Sequence, residues 1–322
     1  MNPSPVAACV INKNVKLIKE SEKTKEKDCY VIKSRNISYA TLKAINANNG
    51  VTVYLAGVVD YYEQENKCYF DDTKASNNFA VIKMTSSYRD DPEREANIYQ
   101  LLHSEETPHP FIVQLLGGYL QCPNTGEKCI ILECMDMDLL QYAEYRKLSW
   151  FTIFEAQVIF KQIVTGLSHM HRKGVVHRDL GLENICIKKD NNNKNSIKLM
   201  DFGHSIVCGN GVDKHIRKHT KVIRIKPCYD APELSDVSVE FYCPDKCDVW
   251  SLGVILFVLL VGEYPFTSAP KSQEIITESL HYLKDKNKVD SNALDLLNGM
   301  LSVDPKARLT LRTIAEHPWL GS

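Results

Sequence analysis

The run His177-Arg178-Asp179-Leu180-Gly181-Leu182-Glu183-Asn184 sets a carboxylate, Asp179, shortly before a carboxamide, Asn184, and the apolar Ile185-Cys186-Ile187 follows at once. This reads as a loop entering a strand. In that setting Asp179 is placed to take the proton of a hydroxyl, and Asn184 to hold a metal ion that carries phosphate. A further carboxylate opens Asp201-Phe202-Gly203, after a second apolar run from Ile197 to Met200, and Ala231-Pro232-Glu233 comes later.

These motifs, in this order, closely resemble the catalytic loop, the metal-binding Asp-Phe-Gly and the end of the activation segment of eukaryotic protein kinases of the Ser/Thr type. The resemblance runs over about residues 39 to 320. It implies an α+β, bilobal fold, with a small β-rich lobe (38–133) and a larger, mainly helical lobe (136–320) binding MgATP between them. It makes Asp179 the proton acceptor and Asn184 and Asp201 the Mg²⁺ ligands. Asp248-Val249-Trp250-Ser251-Leu252-Gly253 matches a further family motif, in which the aspartate caps a helix and braces the catalytic loop. Arg308 stands where the family pairs an arginine with Glu233, and His317-Pro318-Trp319-Leu320 fits the closing motif.

Several elements must position these groups. Phe79-Ala80-Val81-Ile82-Lys83 looks like the kinase strand whose lysine meets the nucleotide's phosphates, with Val81 against the nucleotide. Asp91 reads as the N-cap and Pro92 as the first residue of the helix that follows. By the family's spacing, Glu95 is the ion-pair partner of Lys83, with Glu93 second. Upstream, Tyr39 to Ile45 and Thr52 to Ala56 read as strands around a tight turn. Against the family's glycine loop, Asn46 and Asn48 fall on the first two glycines and Val51 on the third, with Gly50 in the turn and Val53 over the adenine. Asparagine tolerates positive φ, so a degenerate nucleotide loop and an ordinary hairpin both fit. The polar stretch Asp60 to Asn78 reads as an insertion between strands.

His109 to Leu115 and Lys128 to Cys134 read as the fourth and fifth strands. The resemblance makes Leu132 the residue behind the adenine pocket and Glu133 to Met135 the hinge. Ser149 to Arg172 carries apolar residues at helical spacing. The tract from Asp190 to Asn195 reads as an enlarged hairpin tip.

Two departures from the family stand out. Gly181 occupies the place of a lysine that bonds the transferred phosphate, and Lys226 occupies the place of a threonine ahead of Ala231-Pro232-Glu233. A charge is lost at one position and gained at the other. Lys226 therefore reads either as a catalytic stand-in or as a solvated lysine. Together with a degraded glycine loop, these changes resemble the FIKK-type kinases of apicomplexan parasites, whose Phe-Ile-Lys-Lys falls on Val81-Ile82-Lys83-Met84 with only the middle two residues in agreement.

At 322 residues and 44% hydrophobic content the chain can bury a sizeable core, which excludes disorder as a whole. A formal net charge of −1 gives no global attraction to nucleic acid or membrane. Between Gly203 and Tyr229 the sequence turns basic (Lys214, Arg217, Lys218, Lys221, Arg224, Lys226), which suits a protein substrate acidic near its acceptor. Thr220 and Ser205 are the hydroxyls available there for phosphorylation, with Arg178 as the expected receiver. Eleven scattered cysteines and no secretory or myristoylation signal point to reduced thiols in the cytoplasm. Val249 to Val261 is shorter than the roughly 20 residues of a membrane span and reads as a buried helix, so no membrane insertion is expected. Residues 1–37, rich in mixed charge, are expected as an N-terminal extension, disordered in part. The five side chains Lys83, Glu95, Asp179, Asn184 and Asp201 favour an enzyme over the alternative, a catalytically silent kinase-fold scaffold.

Overall fold

The computed structural model describes residues 11–19, 26–34, 37–48, 50–70, 79–85, 91–105, 107–121, 126–146, 151–189, 195–208, 216–217, 226–270, 272–285 and 289–321. The chain divides into two compact units: 1–104 with 113–134, and 105–112 with 135–322.

The first unit is built on one eight-stranded sheet, from β1 (Ile11–Lys19), β2 (Glu26–Ser34), β3 (Ile37–Asn48), β4 (Val51–Tyr62), β5 (Lys67–Phe70), β6 (Phe79–Thr85), β7 (Leu115–Gln121) and β8 (Lys128–Glu133), with helix α1 (Pro92–Leu102). The strand order is β3-β2-β1-β5-β4-β6-β8-β7, and β3 also pairs with β4. That extra pairing closes the first five strands into a ring. β4 makes it possible: its first half pairs with β6, and its last three residues pair with β5. Cys29, Val31, Ala40, Val59, Cys68 and Phe70 form one buried cluster, and Ile32, Tyr39, Ala56, Ile82 and Ile131 belong to a second.

Residues 11–34 thus supply two strands of the sheet instead of a detached extension, and a boundary at 38 falls inside β3. β2 feeds both clusters, Cys29 and Val31 one and Ile32 the other, so the alternation that marks a half-buried strand is absent. Asp60–Asn78 also differs from the expected loop insertion: β4 runs on to Tyr62 and β5 returns, while 71–78 lie outside the described residues. The fourth strand lies at Leu115–Gln121, later than His109–Leu115. Its Gly117-Gly118 pair reads as a breaker, yet a Cβ on Gly117 would lie 2.8 Å from Ser34 Oγ and 2.9 Å from Ile131 Cδ1. Close approach, not a turn, requires the glycine there.

The second unit is mainly helical. It holds β9 (Met137–Asp138), α2 (Leu139–Tyr145), α3 (Ile153–Arg172), β10 (Val175–Val176), β11 (Ile185–Lys189), β12 (Asn195–Leu199), β13 (Ile206–Val207), β14 (Ile216–Arg217), α4 (Pro232–Ser235), β15 (Phe241–Tyr242), α5 (Pro244–Val261), α6 (Gln273–Asp285), α7 (Ser291–Met300), α8 (Leu311–Ala315) and α9 (Pro318–Gly321). α3 starts later than Ser149 because Thr152 and Glu155 form a capping box that fixes the first turn. α5 is the apolar run expected to be a buried helix, with Trp250, Leu252, Val254, Ile255 and Leu256 fully enclosed. No helix among the described residues is long and apolar enough to cross a membrane. β11 and β12 form the expected hairpin; its tip, 190–194, lies outside the described residues.

Candidate active site

In the first unit, Lys83 pairs in register with Val53 of β4, and Val81 with Leu132 of β8. Directly opposed residues share a face, and so do residues two apart on a strand. Val53, Val81, Lys83 and Leu132 therefore lie on one face of the sheet, opposite Ala80, Ile82 and Ile131 of the apolar cluster. Lys83 Nζ is 2.8 Å from Glu95 Oε2. Asp91 accepts a hydrogen bond from Arg94 N at 3.0 Å and starts α1, so Glu95 falls on its buried side while Glu93 is exposed. Glu95 is thus the partner of Lys83.

Asn46 and Asn48 lie within β3, paired with Val53 and Val51, and neither has positive φ; Gly50, at φ 85°, is in the turn. The register makes this a hairpin with Gly50 in its turn, and Asn49 lies outside the described residues. Glu133 is tied into the sheet: its Oε2 accepts from Gln114 N at 2.9 Å. The division between the units falls after Cys134, inside the expected hinge Glu133–Met135.

In the second unit the loop 177–184 is held from below by one side chain. Asp248 Oδ2 accepts from His177 N and from His171 Nε2, and Oδ1 accepts from Arg178 N, each at 2.8 Å. Asp248 lies a turn inside α5, so it braces the loop without capping the helix; Cys243 holds the cap position. Burial would raise the carboxyl of Asp248, but the His171 hydrogen bond, the imidazoles of His171 and His177 and the Arg178 amide bring it below its ordinary range. His177 Nε2 meets Met200 O at 3.2 Å, its Nδ1 accepts from Asp179 N at 3.4 Å, and its carbonyl accepts from Ser205 Oγ. This one imidazole links Asp179 to the segment carrying Asp201.

Asn184 Nδ2 donates to Asp179 O at 2.7 Å and to Asp179 Oδ2 at 2.8 Å. Its Oδ1 is the atom left to ligate a cation. Arg178 and Asp201 have positive φ, 66° and 61°. For non-glycine residues this conformation costs on the order of 1 kcal/mol, and such costs cluster at functional sites. Asn184 and Asp201 offer hard oxygen donors, as Mg²⁺ needs, and Mg²⁺ is ordinarily held by one or two carboxylates plus substrate phosphates. The donor chemistry fits the ion.

Lys226 Nζ stands 3.6 Å from Asp179 Oδ1 and 3.5 Å from Glu183 Oε2, so it is not turned to solvent. Gly181, at φ −168°, is extended, so its backbone does not require glycine and its neighbours crowd it instead. A Cβ there would lie 2.8 Å from Glu183 Oε2, 3.1 Å from Tyr229 Cε2 and 3.2 Å from Lys226 Nζ. Tyr229 OH accepts from Leu182 N at 3.2 Å and bonds Tyr264 OH at 3.1 Å, fixing the far side of the loop. The motif reading passed over Glu183, Tyr229, Tyr264 and His177. Glu183 and His177 stand inside the quoted run, but their partners come from distant sequence. Glu233 and Arg308 form the expected pair, at 2.8 and 3.0 Å, both buried, with Cys247 Sγ also donating to Glu233. Thr220 and most of the basic segment lie outside the described residues. Burial pushes the Tyr242 phenol up, and the nearby Arg178 guanidinium opposes the rise.

The sequence model of the protein kinase domain matches residues 66–320, and the chain belongs to the protein kinase family. The match begins after the β3–β4 hairpin. Among curated proteins the chain is similar to a putative ribosomal protein S6 kinase alpha-2 of Caenorhabditis elegans, 32% identical over 76% of this chain and 32% of that protein. It is also similar to a probable serine/threonine-protein kinase, fhkE, of Dictyostelium discoideum, 33% identical over 88% of this chain and 36% of that protein. The serine/threonine-protein kinase cds1 of Schizosaccharomyces pombe is 28% identical over 90% of this chain and 60% of its own length. The chain spans about a third of the length of the first two relatives.

Proposed function

We propose that this chain is an ATP-dependent kinase that phosphorylates serine or threonine hydroxyls of proteins. The observation that carries the reading is the Asp179 carboxylate: Asn184 holds Oδ2, the His177–Asp248 brace fixes its backbone, and Oδ1 is left for an acceptor hydroxyl. In the reaction the bond between the γ-phosphorus and the β–γ bridging oxygen breaks, and a bond to the acceptor oxygen forms. The hydroxyl proton passes to Asp179, and ADP leaves. Lys83, held by Glu95, contacts the phosphates. Asn184 and Asp201 would hold Mg²⁺, which supplies charge neutralisation for the phosphates. The residual work of the protein is positioning.

The names of the relatives support the Ser/Thr acceptor. The free thiols of the nine described cysteines fit a reducing compartment such as the cytoplasm, and the basic run before Tyr229 fits substrates acidic near the acceptor. The exchanges at Gly181 and Lys226 support a place near the FIKK-type kinases. One observation favours the rival scaffold reading: Asn46, Asn48 and Val51 stand where the family has the glycines of its phosphate loop. Purified protein incubated with labelled ATP, Mg²⁺ and a degenerate peptide library, beside Asp179→Asn, separates the two. Label on serine or threonine in the wild type alone supports the kinase; no transfer, with the protein phosphorylated or not, supports the scaffold.

A further inference from the structure

Lys226 presents an arrangement that a structural lysine does not need. Its ammonium is shielded from solvent, lies 3.5–3.6 Å from two carboxylates, and makes no hydrogen bond of good geometry with either. Charge-assisted N–H···O bonds ordinarily close to about 2.7–2.9 Å, so neither pair is closed. Instead the charge is suspended beside Asp179 Oδ1, the oxygen left for the acceptor. The ground beneath it is a glycine: a Cβ at 181 would lie 2.8 Å from Glu183 Oε2 and 3.2 Å from Lys226 Nζ, the ends of two long side chains that a larger residue would push aside. The two positions are therefore coupled. A cationic side chain at 181 would compete with the ammonium of Lys226 for the ground beside the base.

We infer that Lys226 is a catalytic residue that contacts the transferred phosphoryl group beside Asp179, and that Gly181 is the vacancy that admits it. The inference rests on the kinase reading and adds the group that meets charge on the phosphoryl oxygens. Glu183 acts as a positioning residue, holding the ammonium near the base before substrate arrives. A cation at this point meets negative charge as it spreads over the phosphoryl oxygens during transfer, in a shielded site where such a donor acts strongly.

The test is a swap. Lys226→Met keeps the stem and removes the charge; it should lower the rate of transfer about a hundredfold, the scale of one preorganised donor. ADP affinity should stay near that of the wild type. Gly181→Lys alone should also be impaired, because its side chain enters filled space. The double variant Gly181→Lys/Lys226→Ala should regain at least tenfold over Lys226→Met, a reversal that a merely structural lysine would not produce. Transfer by Lys226→Met within about threefold of wild type, or a double variant no better than either single one, overturns the inference. A second readout is independent of turnover: the affinity ratio of a non-hydrolysable ATP analogue to ADP, with Mg²⁺. Lys226→Met should reduce that ratio, and an unchanged ratio counts against the contact. If the wild type binds analogue but transfers nothing, the kinase reading fails and the catalytic role with it, and this ratio decides only whether Lys226 contacts the terminal phosphate. If it binds no nucleotide, both readings fail.

Discussion

At the scale of single residues, His177 carries more than its place before the Arg178–Asp179 pair implies. Its ring is buried, and burial holds the imidazole below the ordinary histidine range, against the opposing pull of Asp248, Asp179 and Asp201; Lys226 adds to the depression. The neutral ring uses Nδ1 to accept from Asp179 N, a bond that protonation would remove. The unfolded chain takes up this proton near pH ~6.5 and the folded chain only at lower pH, so between the two the unfolded state holds more protons and stability rises with pH. Asp248 does not confuse this window. Its carboxyl is held below the usual range, so its contribution is lost only as the pH falls beneath about 4. Melting curves between pH 7 and pH 5 should therefore show a loss of up to about 1.4 kcal/mol per pH unit from His177. His177→Asn, which keeps an acceptor in place of Nδ1, should show a shallower slope. Parallel slopes for the two proteins would refute the assignment. Asp179, Asn184, Asp201, Glu233 and Arg308 were legible because motifs fix residue type at fixed spacing. The service of His177 was not, since its partners at 200, 205 and 248 are brought to it only by folding.

At the scale of elements, legibility followed how cleanly each one separates its faces. α3 shows a helical stripe and α5 a continuous apolar run, and both stood out. β1 and β2 did not: their charges read as an extension, and β2 is buried toward two clusters, which removes the period of two. The ring they close has a consequence for stability. Without them, the edges of β3 and β5 lose their partners, and Ala40, Cys68 and Phe70 lose the cover of Cys29 and Val31. Burying one side chain of the size of Val31 or Ile32 is worth about 1.5–3 kcal/mol, and unpaired apolar edges invite aggregation. A chain beginning at Ile37 should therefore melt well below the full chain, or aggregate, although the family match begins only at residue 66. The point variant Gly57→Val should be destabilised in the same direction. A Cβ at 57 would lie 2.3 Å from the Phe70 side chain that fills the interior of the closed sheet. Equal melting temperatures for the full and shortened chains would show that the ring is not part of the folding unit.

At the scale of the whole molecule, the proposed chemistry is divided by unit. Lys83 and Glu95 belong to the first, and Asp179, Asn184 and Asp201 to the second. Within the second, the residues divide again by role, since Asp201 and Asn184 offer oxygens to a cation while Asp179 offers one to the acceptor. Binding and transfer should therefore come apart under substitution. A ligand that binds only the folded chain stabilises it by RT ln(1 + [L]/Kd), about 2.7 kcal/mol at a hundredfold excess over Kd. With Mg²⁺ and ATP at that excess, the wild type and Asp179→Asn should gain the same stabilisation, since Asp179 has no phosphate or metal to hold in this scheme. Asp201→Asn should lose most of the gain, and leaving out Mg²⁺ should reproduce that loss in the wild type. Lys83→Met should also lose the gain and, in addition, melt lower without nucleotide. It removes the ammonium 2.8 Å from the buried Glu95, and breaking a buried pair from one side costs up to about 3–5 kcal/mol. Differential scanning fluorimetry across the four proteins reads all of these shifts at once. A nucleotide shift lost in Asp179→Asn but kept in Asp201→Asn would reverse the roles assigned to the two carboxylates.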